Sequence, residues 1–268
     1  MLMHTQSQSQ KGFAVLEVII ILIVIAAAGF VGYKVLSDKD DSSSADLSNS
    51  QQIASESEVK IKHLGINIDD YDPATDMAGD LKFTKFKFPE GSVDTIFLEY
   101  GRLEPKNSAK GDADRYNPQP TFLAPLGTKV HALIDGTVID VPKLYSNDYS
   151  VHMQGEGSDY IFETEHVINV LVKKGDKVTA GQVIAEVSDY NGDQLGGLGL
   201  FEIGVLVPGN PPQHICTFDF LDDSIKDETL QKITKLENDW ETYIGDDNVY
   251  QQDQEPIAGC RTRDAVEG

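Results

Sequence analysis

A mainly β protein is what this sequence predicts: a small β-sandwich of the barrel-sandwich kind, with one transmembrane helix before it and one amphipathic helix after it. Three observations carry that expectation. Between Thr121 and Val205 short apolar alternations are punctuated by glycine, as in Ala124-Pro125-Leu126-Gly127-Thr128-Lys129-Val130, the run from Val172 to Ile184, and Leu200-Phe201-Glu202-Ile203. Short strands joined by tight turns have this pattern. From Phe13 to Tyr33 the chain is apolar apart from Glu17, and at about 1.5 Å of rise per residue such a helix spans a bilayer. From Ser224 to Tyr243, Leu230, Ile233, Leu236, Trp240 and Tyr243 recur at three- and four-residue spacing, which is one face of a helix.

Taken in order, the chain divides into a polar leader (1–12), the transmembrane helix (13–36), a flexible linker (37–60), accessory strands with a loop (61–116), the β domain (117–215), and a C-terminal helix and tail (216–268). The linker is rich in Ser, Asp, Gln and Glu and cannot bury enough apolar surface to offset ordering. At about 5–6 Å times the square root of its length it reaches roughly 25 Å. Beyond it, Leu81 to Phe88 alternates at period two and Thr95 to Tyr100 reads as a strand, with Pro89-Glu90-Gly91-Ser92 as the turn of a hairpin. Asp69, Asp70, Asp72 and Asp76 form an acidic run, read as a solvated loop in preference to a calcium site because no loop-setting glycine or regular ligand spacing accompanies it. Residues 105–120 read as a loop, and Asp135-Gly136 as a hairpin turn. The Asp222-Asp223-Ser224 run supplies an N-cap for the final helix. Its apolar stripe packs on the β domain or, in a second reading, meets a partner. The tail beyond Tyr250 is polar and is expected to be loose, apart from Cys260.

With 22 basic against 44 acidic side chains, a net charge of −22, the chain repels phosphate backbones, which argues against nucleic acid as a partner. The two cysteines, Cys216 and Cys260, allow one intrachain pairing. Outside the cytoplasm such a bridge would be worth about 4 kcal/mol on the loop-entropy argument. No histidine lies near either thiol in sequence, so structural use is preferred to a nucleophile.

The order A-P-x-G-T-x-V-x-A-x-x-D-G-x-V from Ala124, then a histidine followed by V-x-x-G-D-x-V-x-x-G-Q-x-I from Val172, then L-F-E-I from Leu200, resembles the lysostaphin-like (LytM-type) zinc endopeptidases. That family cleaves peptide cross-links in bacterial peptidoglycan. The resemblance implies its β fold and places the family's zinc ligands, a His and an Asp in H-x-x-x-D and the second His of an H-x-H, at Asn117, Thr121 and Leu200, with the first His of that H-x-H at Leu198. Only His166 retains a family residue, the histidine that helps handle the water or oxyanion. A catalytic zinc needs about three protein ligands and an open position. Leucine has no lone pair to offer, and threonine and asparagine are poor ligands. The resemblance therefore implies a catalytically inactive relative: no catalytic residue, no zinc or other cofactor, and a closed apolar patch where Leu198 and Leu200 replace the metal site. Lipoyl and biotinyl carrier domains share the V-x-x-G-D-x-V pattern, but no lysine lies between Lys143 and Lys173 to carry the prosthetic arm.

At the N-terminus, Lys11-Gly12-Phe13-Ala14-Val15-Leu16-Glu17 resembles the processing motif of type IV prepilins, which implies cleavage after Gly12, a new N-terminal Phe13, and a role for Glu17. A plain signal anchor is the rival reading. The apolar run implies a single pass of a bacterial cell membrane, and both resemblances place the bulk of the chain outside the cytoplasm. The expected partners are the membrane, through the one N-terminal helix, and peptidoglycan, a wall hydrolase or pilus components. The leading expectation is an anchored, inactive peptidase homologue that binds or regulates at the wall. The alternatives are a minor pilin or pseudopilin with a β-domain head, and an active endopeptidase with relocated zinc ligands, for which His131, His152 and His166 are the candidates. Otherwise His131 reads as an outward strand residue, His152 as a strand residue, and His214 as part of a turn after the core.

Overall fold

A computed structural model describes residues 58–88, 95–104, 115–190 and 194–267. The expected leader, the transmembrane helix, the prepilin-like residues Gly12, Phe13 and Glu17, most of the linker and the Pro89–Ser92 turn lie outside the described residues. Among those described, no helix is long and apolar enough to cross a membrane.

The strands, in chain order, are β1 (Met77–Ala78), β2 (Leu81–Lys82), β3 (Phe97–Leu98), β4 (Leu103–Glu104), β5 (Arg115–Tyr116), β6 (Thr121–Pro125), β7 (Lys129–His131), β8 (Gly136–Asp140), β9 (Tyr149–Gln154), β10 (Ile161–Ile168), β11 (Lys177–Val178), β12 (Val183–Val187), β13 (Leu198–Val207), β14 (Gln213–Ile215) and β15 (Val266–Glu267); the α-helix among the described residues, α1, is Lys226–Ile244. The predicted mainly β fold with its C-terminal helix is thus observed among the described residues. Eleven strands form one antiparallel sheet whose path runs β11-β8-β9-β10-β13-β14-β15.

β10 and β13 organise this sheet. Glu202 of β13 pairs with Glu165 of β10 on one side and Thr121 of β6 on the other, while Val205 pairs with Phe162 and Ile215. One edge of β13 is therefore shared between β6 and β14. β10 likewise shares an edge between β13 and β12. A strand with neighbours on both edges and core on its faces needs near-continuous apolar sequence, and β13 supplies it: Leu198, Leu200, Phe201, Ile203 and Val205 are all buried. The one core runs from Ile61 to Val266 and includes Phe122, Phe162, Phe218 and Trp240.

Several sequence expectations are corrected here. The stretches 81–88 and 95–100 do not pair: β2 pairs with β1, and β3 with β6. Phe83 is drawn instead into an aromatic cluster with Tyr71, Trp240 and Tyr243, so burial overrides the hairpin pattern. Asp135-Gly136 is not a hairpin turn, because β7 pairs with β12 and β8 with β9 and β11. Asp135 instead receives Lys62 Nζ at 2.8 Å and the Ala180 amide at 2.9 Å. The 61–116 segment is not an addition in front of the core: the Ile61 amide donates to the Phe220 carbonyl and Ile61 bridges Leu221 in parallel. The loop read over 105–120 contains β5, which pairs with β4. At the near end of the linker, Val59 packs against the core, with Gly155 beside it.

The tail is not loose. Tyr250, Ile257 and Cys260 are buried, β15 pairs with β14, and Tyr100 is bracketed by Gly259 and Arg261 through backbone hydrogen bonds. Cys216 and Cys260 are joined by a disulfide with Cα atoms 6.1 Å apart. On α1 the helix starts two residues later than read, with no side-chain cap; Asp222 accepts the Ile225 and Lys226 amides on its carbonyl and the Ser224 amide on its carboxylate. Its apolar stripe packs into the core through Ile233, Leu236 and Trp240. The acidic run at 69–76 builds turns and pairs with lysine: Asp72 accepts the Ala74 amide, Asp76 the Tyr71 hydroxyl, and Asp69 the Lys232 ammonium.

Candidate functional site

The chemistry-bearing residues collect where β10 and β13 lie side by side. Between Thr164 and Val167 the register with β9 slips, three steps on β10 against two on β9. The extra residue makes a bulge, the device by which strands re-aim a side chain. His166 occupies it with a φ of 57°, a left-handed conformation that a non-glycine residue adopts at a cost of about 1–3 kcal/mol. The bulge is held by the Ser188 amide, which donates to the His166 carbonyl at 3.0 Å.

The His166 ring is 6 % exposed. Its Nδ1 lies 3.0 Å from Asp148 Oδ2, and Asp148, also buried, accepts the Ser188 hydroxyl at 2.5 Å and that of Ser146. On the other side, Nε2 lies 3.7 Å from Glu202 Oε2. Glu165 stands directly across from Glu202 in the ladder. The Tyr190 ring packs on the imidazole at 4.1 Å between centroids, and the Tyr190 and Tyr145 hydroxyls are 2.7 Å apart.

A second cluster adjoins the first. Glu163, buried, accepts from Gln119 Nε2 at 2.8 Å and contacts His214 Nε2 at 2.8 Å and His152 Nε2 at 3.2 Å. Its cross-strand partner is Gly204, where a Cβ would come within 2.5 Å of the carboxylate. The glycine makes room for the acid. His214, read from sequence as part of a turn, is a buried residue of β14.

These contacts set the charges. Burial resists ionisation of Asp148, but hydrogen bonds from His166, Ser146 and Ser188 outweigh it and hold the carboxyl below its usual range. Burial likewise opposes the charged His166, and the Asp148 hydrogen bond with the Glu202 charge outweighs it, so the ring holds its proton more tightly than a free histidine. Burial, then the charges of Glu163 and Glu202, push Glu165 up to about 7. Glu202 is raised too, chiefly by burial. In the second cluster burial opposes both charges, yet the hydrogen bonds of His152 and His214 lower Glu163, and Glu163 in turn raises His152.

Of the residues singled out from sequence, Asn117, Thr121, His166, Leu198 and Leu200 all fall in or beside this region. Asn117 spends its amide on the Glu99 and Gln119 carbonyls at 3.1 and 2.6 Å. The Thr121 hydroxyl lies 3.0 Å from the Gln119 carbonyl and 3.3 Å from Glu202 Oε1. Leu198 and Leu200 are 4 % and 6 % exposed and belong to the core. These positions do not fit a zinc ion: an amide committed to two carbonyls, one hydroxyl and two buried alkyl groups offer no ligand set. The expected patch is apolar at the leucines, but an acid–histidine cluster borders it. His131 stands apart, with Nδ1 on the Gly65 carbonyl and its ring on His63, so it does not join His152 and His166.

Sequence reasoning missed Asp148, Glu163, Glu165 and Glu202 as site residues. Glu202 stands in the quoted L-F-E-I motif, and Glu165 directly precedes His166 in sequence. Asp148 carries no spacing signal, because a turn with Asn147 at a φ of 69° delivers it. Ser146, Ser188, His166 and Asp148 do not make a nucleophilic triad. In that arrangement serine and carboxylate sit on opposite ring nitrogens, whereas both hydroxyls here point at Asp148.

Residues 120–202 match the model of peptidase family M23, so the chain carries a domain of the peptidase M23 (LytM) type. Among solved structures it is similar to the antimicrobial peptidase lysostaphin from Staphylococcus simulans, with 18 % identity over 42 % of this chain and 43 % of that one, at a TM-score of 0.34. It is also similar to the catalytic domain of the prophage-encoded M23 protein EnpA from Enterococcus faecalis, with 20 % identity over 49 % and 95 % of the two chains, at 0.35. A zinc-containing peptidase from Vibrio cholerae matches with 23 % identity over 57 % and 39 %, at 0.34. This chain therefore spans less than half of the lysostaphin it matches. No curated protein sequence matches it.

Proposed function

We propose that this chain is an exported, membrane-anchored M23-type domain that does not use the family's zinc chemistry and acts by binding or regulation at the bacterial cell wall. One observation carries the non-catalytic half: at the family's ligand positions Asn117 is tied to two carbonyls, Thr121 to its own strand neighbourhood, and Leu200 to the core. The wall as its place of action rests on the M23-type match over residues 120–202 and on the glycine framework that resembles wall peptidases. Anchoring rests on the apolar run from Phe13 to Tyr33.

The test uses the full-length chain in detergent, incubated with purified peptidoglycan sacculi with and without added Zn²⁺. Sedimentation of the protein with the sacculi, and no release of new amino groups, is the expected result. Release of amino groups would end the non-catalytic reading. Protein left wholly in the supernatant would end the wall-binding one.

A further inference from the structure

We infer that Glu165, His166 and Glu202 form a binding site for a first-row divalent metal ion such as Mn²⁺ or Zn²⁺, built from residues other than those at the family's ligand positions. One donor atom from each of the three lies within 4.8 Å of the others.

The ladder poses the first question. Glu165 and Glu202 are directly opposite each other on adjacent strands, and like charges so placed destabilise a sheet unless something positive lies between them. His166 meets Glu202 only at ion-pair range, since 3.7 Å from Nε2 to Glu202 Oε2 is longer than a hydrogen bond. It does suit two ligands of one ion. Metal–N and metal–O bonds of about 2.0–2.2 Å at a tetrahedral angle put the donor atoms roughly 3.3–3.6 Å apart.

The histidine supplies the second, independent observation. Its side chain is more than nine-tenths buried, and Nδ1 is engaged by Asp148. Nε2, on the other side of the ring, lies 3.7 Å from Glu202 Oε2, beyond hydrogen-bond distance, and the donor group it belongs to includes Glu165. A carboxylate on one ring nitrogen fixes the tautomer so that the other nitrogen presents its lone pair to a metal. Asp148 is anchored in turn by Ser146 and Ser188.

Two carboxylates and one imidazole make a mixed oxygen–nitrogen set. That set suits Mn²⁺ or Zn²⁺, whereas Ca²⁺ takes six to eight oxygens. Three protein ligands leave at least one position for water or for an oxygen of a bound molecule. The inference stands apart from the binding function proposed above, since a metal titration and a sacculus assay fail separately.

The experiment is calorimetric titration of the chelator-treated full-length chain in detergent with MnCl₂ and with ZnCl₂. It is paired with NMR line-broadening by Mn²⁺ on the unmutated protein, so that no variant need fold for the site to be located. One ion per chain is expected, with broadening centred on residues 165, 166 and 202. Glu202→Gln and His166→Gln should each weaken binding at least about tenfold, and Asp148→Asn about 10–100-fold; His131→Gln should leave it unchanged. Absence of saturable binding up to about 1 mM ion, or broadening centred on His152 and Glu163, would overturn the assignment. A proton shared by the two glutamates would then be what relieves the pair.

Discussion

His166 is held in a conformation that its own backbone disfavours, by the Ser188 amide on its carbonyl and by the buried pair of its ring with Asp148. Removing one member of such a pair costs about 3–5 kcal/mol, because the other is left buried and uncompensated. Asp148→Ala is expected to lose that much stability by urea denaturation. The pH dependence follows from the shift directions. His166, raised, contributes fully below its unfolded value of 6.5, and that contribution is lost as pH climbs through its folded pKa. Asp148, lowered, contributes above 3.8 and loses it as pH falls through its folded pKa. The gap between wild type and Asp148→Ala should therefore be widest between pH 3.8 and 6.5 and narrow on the alkaline side. Glu237 on α1 behaves in the opposite sense. It is fully buried, and burial, then the charges of Glu255 and Glu99, push it up to about 9. Its folded form keeps a proton that the unfolded chain releases near 4.5, so each pH unit from there to about 9 costs about 1.4 kcal/mol. Glu237→Gln should flatten the loss of thermal stability between pH 6 and about 9, as read by calorimetry; an unchanged slope would mean that Glu237 is not the group responsible.

At the scale of elements, the C-terminal tail is where sequence and structure part most. Its polar composition hid a strand. β15 adds to β14, Tyr250 donates its hydroxyl to the Phe97 carbonyl at 2.9 Å, and Arg261 grips Glu99 at 2.6 and 2.9 Å. None of these partners is local, so no window of sequence could show them. The glycine-punctuated strands of β6, β7, β12 and β13 were legible for the opposite reason, since their alternation and turns are local. The same divide holds within the site: His166 stood in a readable motif, and Asp148 comes from a turn that only the fold brings near. The disulfide ties this tail to the turn after β14. Replacing Cys216 and Cys260 by serine is expected to cost about 2–5 kcal/mol. Hydrogen exchange should then show β15 opening well before β10 and β13; uniform opening of all three would argue that the strap is dispensable.

At the scale of the whole described region, one core reaches from Ile61 to Val266, although the sequence suggested a β domain at 117–215 with additions on either side. Helix α1 seats Trp240 against Phe83, and the 61–64 segment lies against β-domain residues through Leu133. The segment that the M23 family model matches, 120–202, is therefore a part of the packing unit and not the whole of it. A chain ending at Ile215 should fail to give a cooperative unfolding transition or a near-UV circular dichroism signal, while the full chain gives a single transition over its described region. A truncated chain that unfolds cooperatively would contradict this.

The bridge at Ile61 bears on how the protein answers to mechanical load. Ile61 donates to Phe220 at 2.8 Å and accepts from the Asp222 amide at 2.8 Å, alongside Leu221 in parallel. The first described residues are thus sewn into the seam between the disulfide-bearing turn and α1. Tension applied from the N-terminal side meets the Val59 contact beside Gly155 and then this seam. Detaching the segment at this point breaks two backbone hydrogen bonds and exposes one isoleucine, a far smaller loss than opening the β10–β13 ladder.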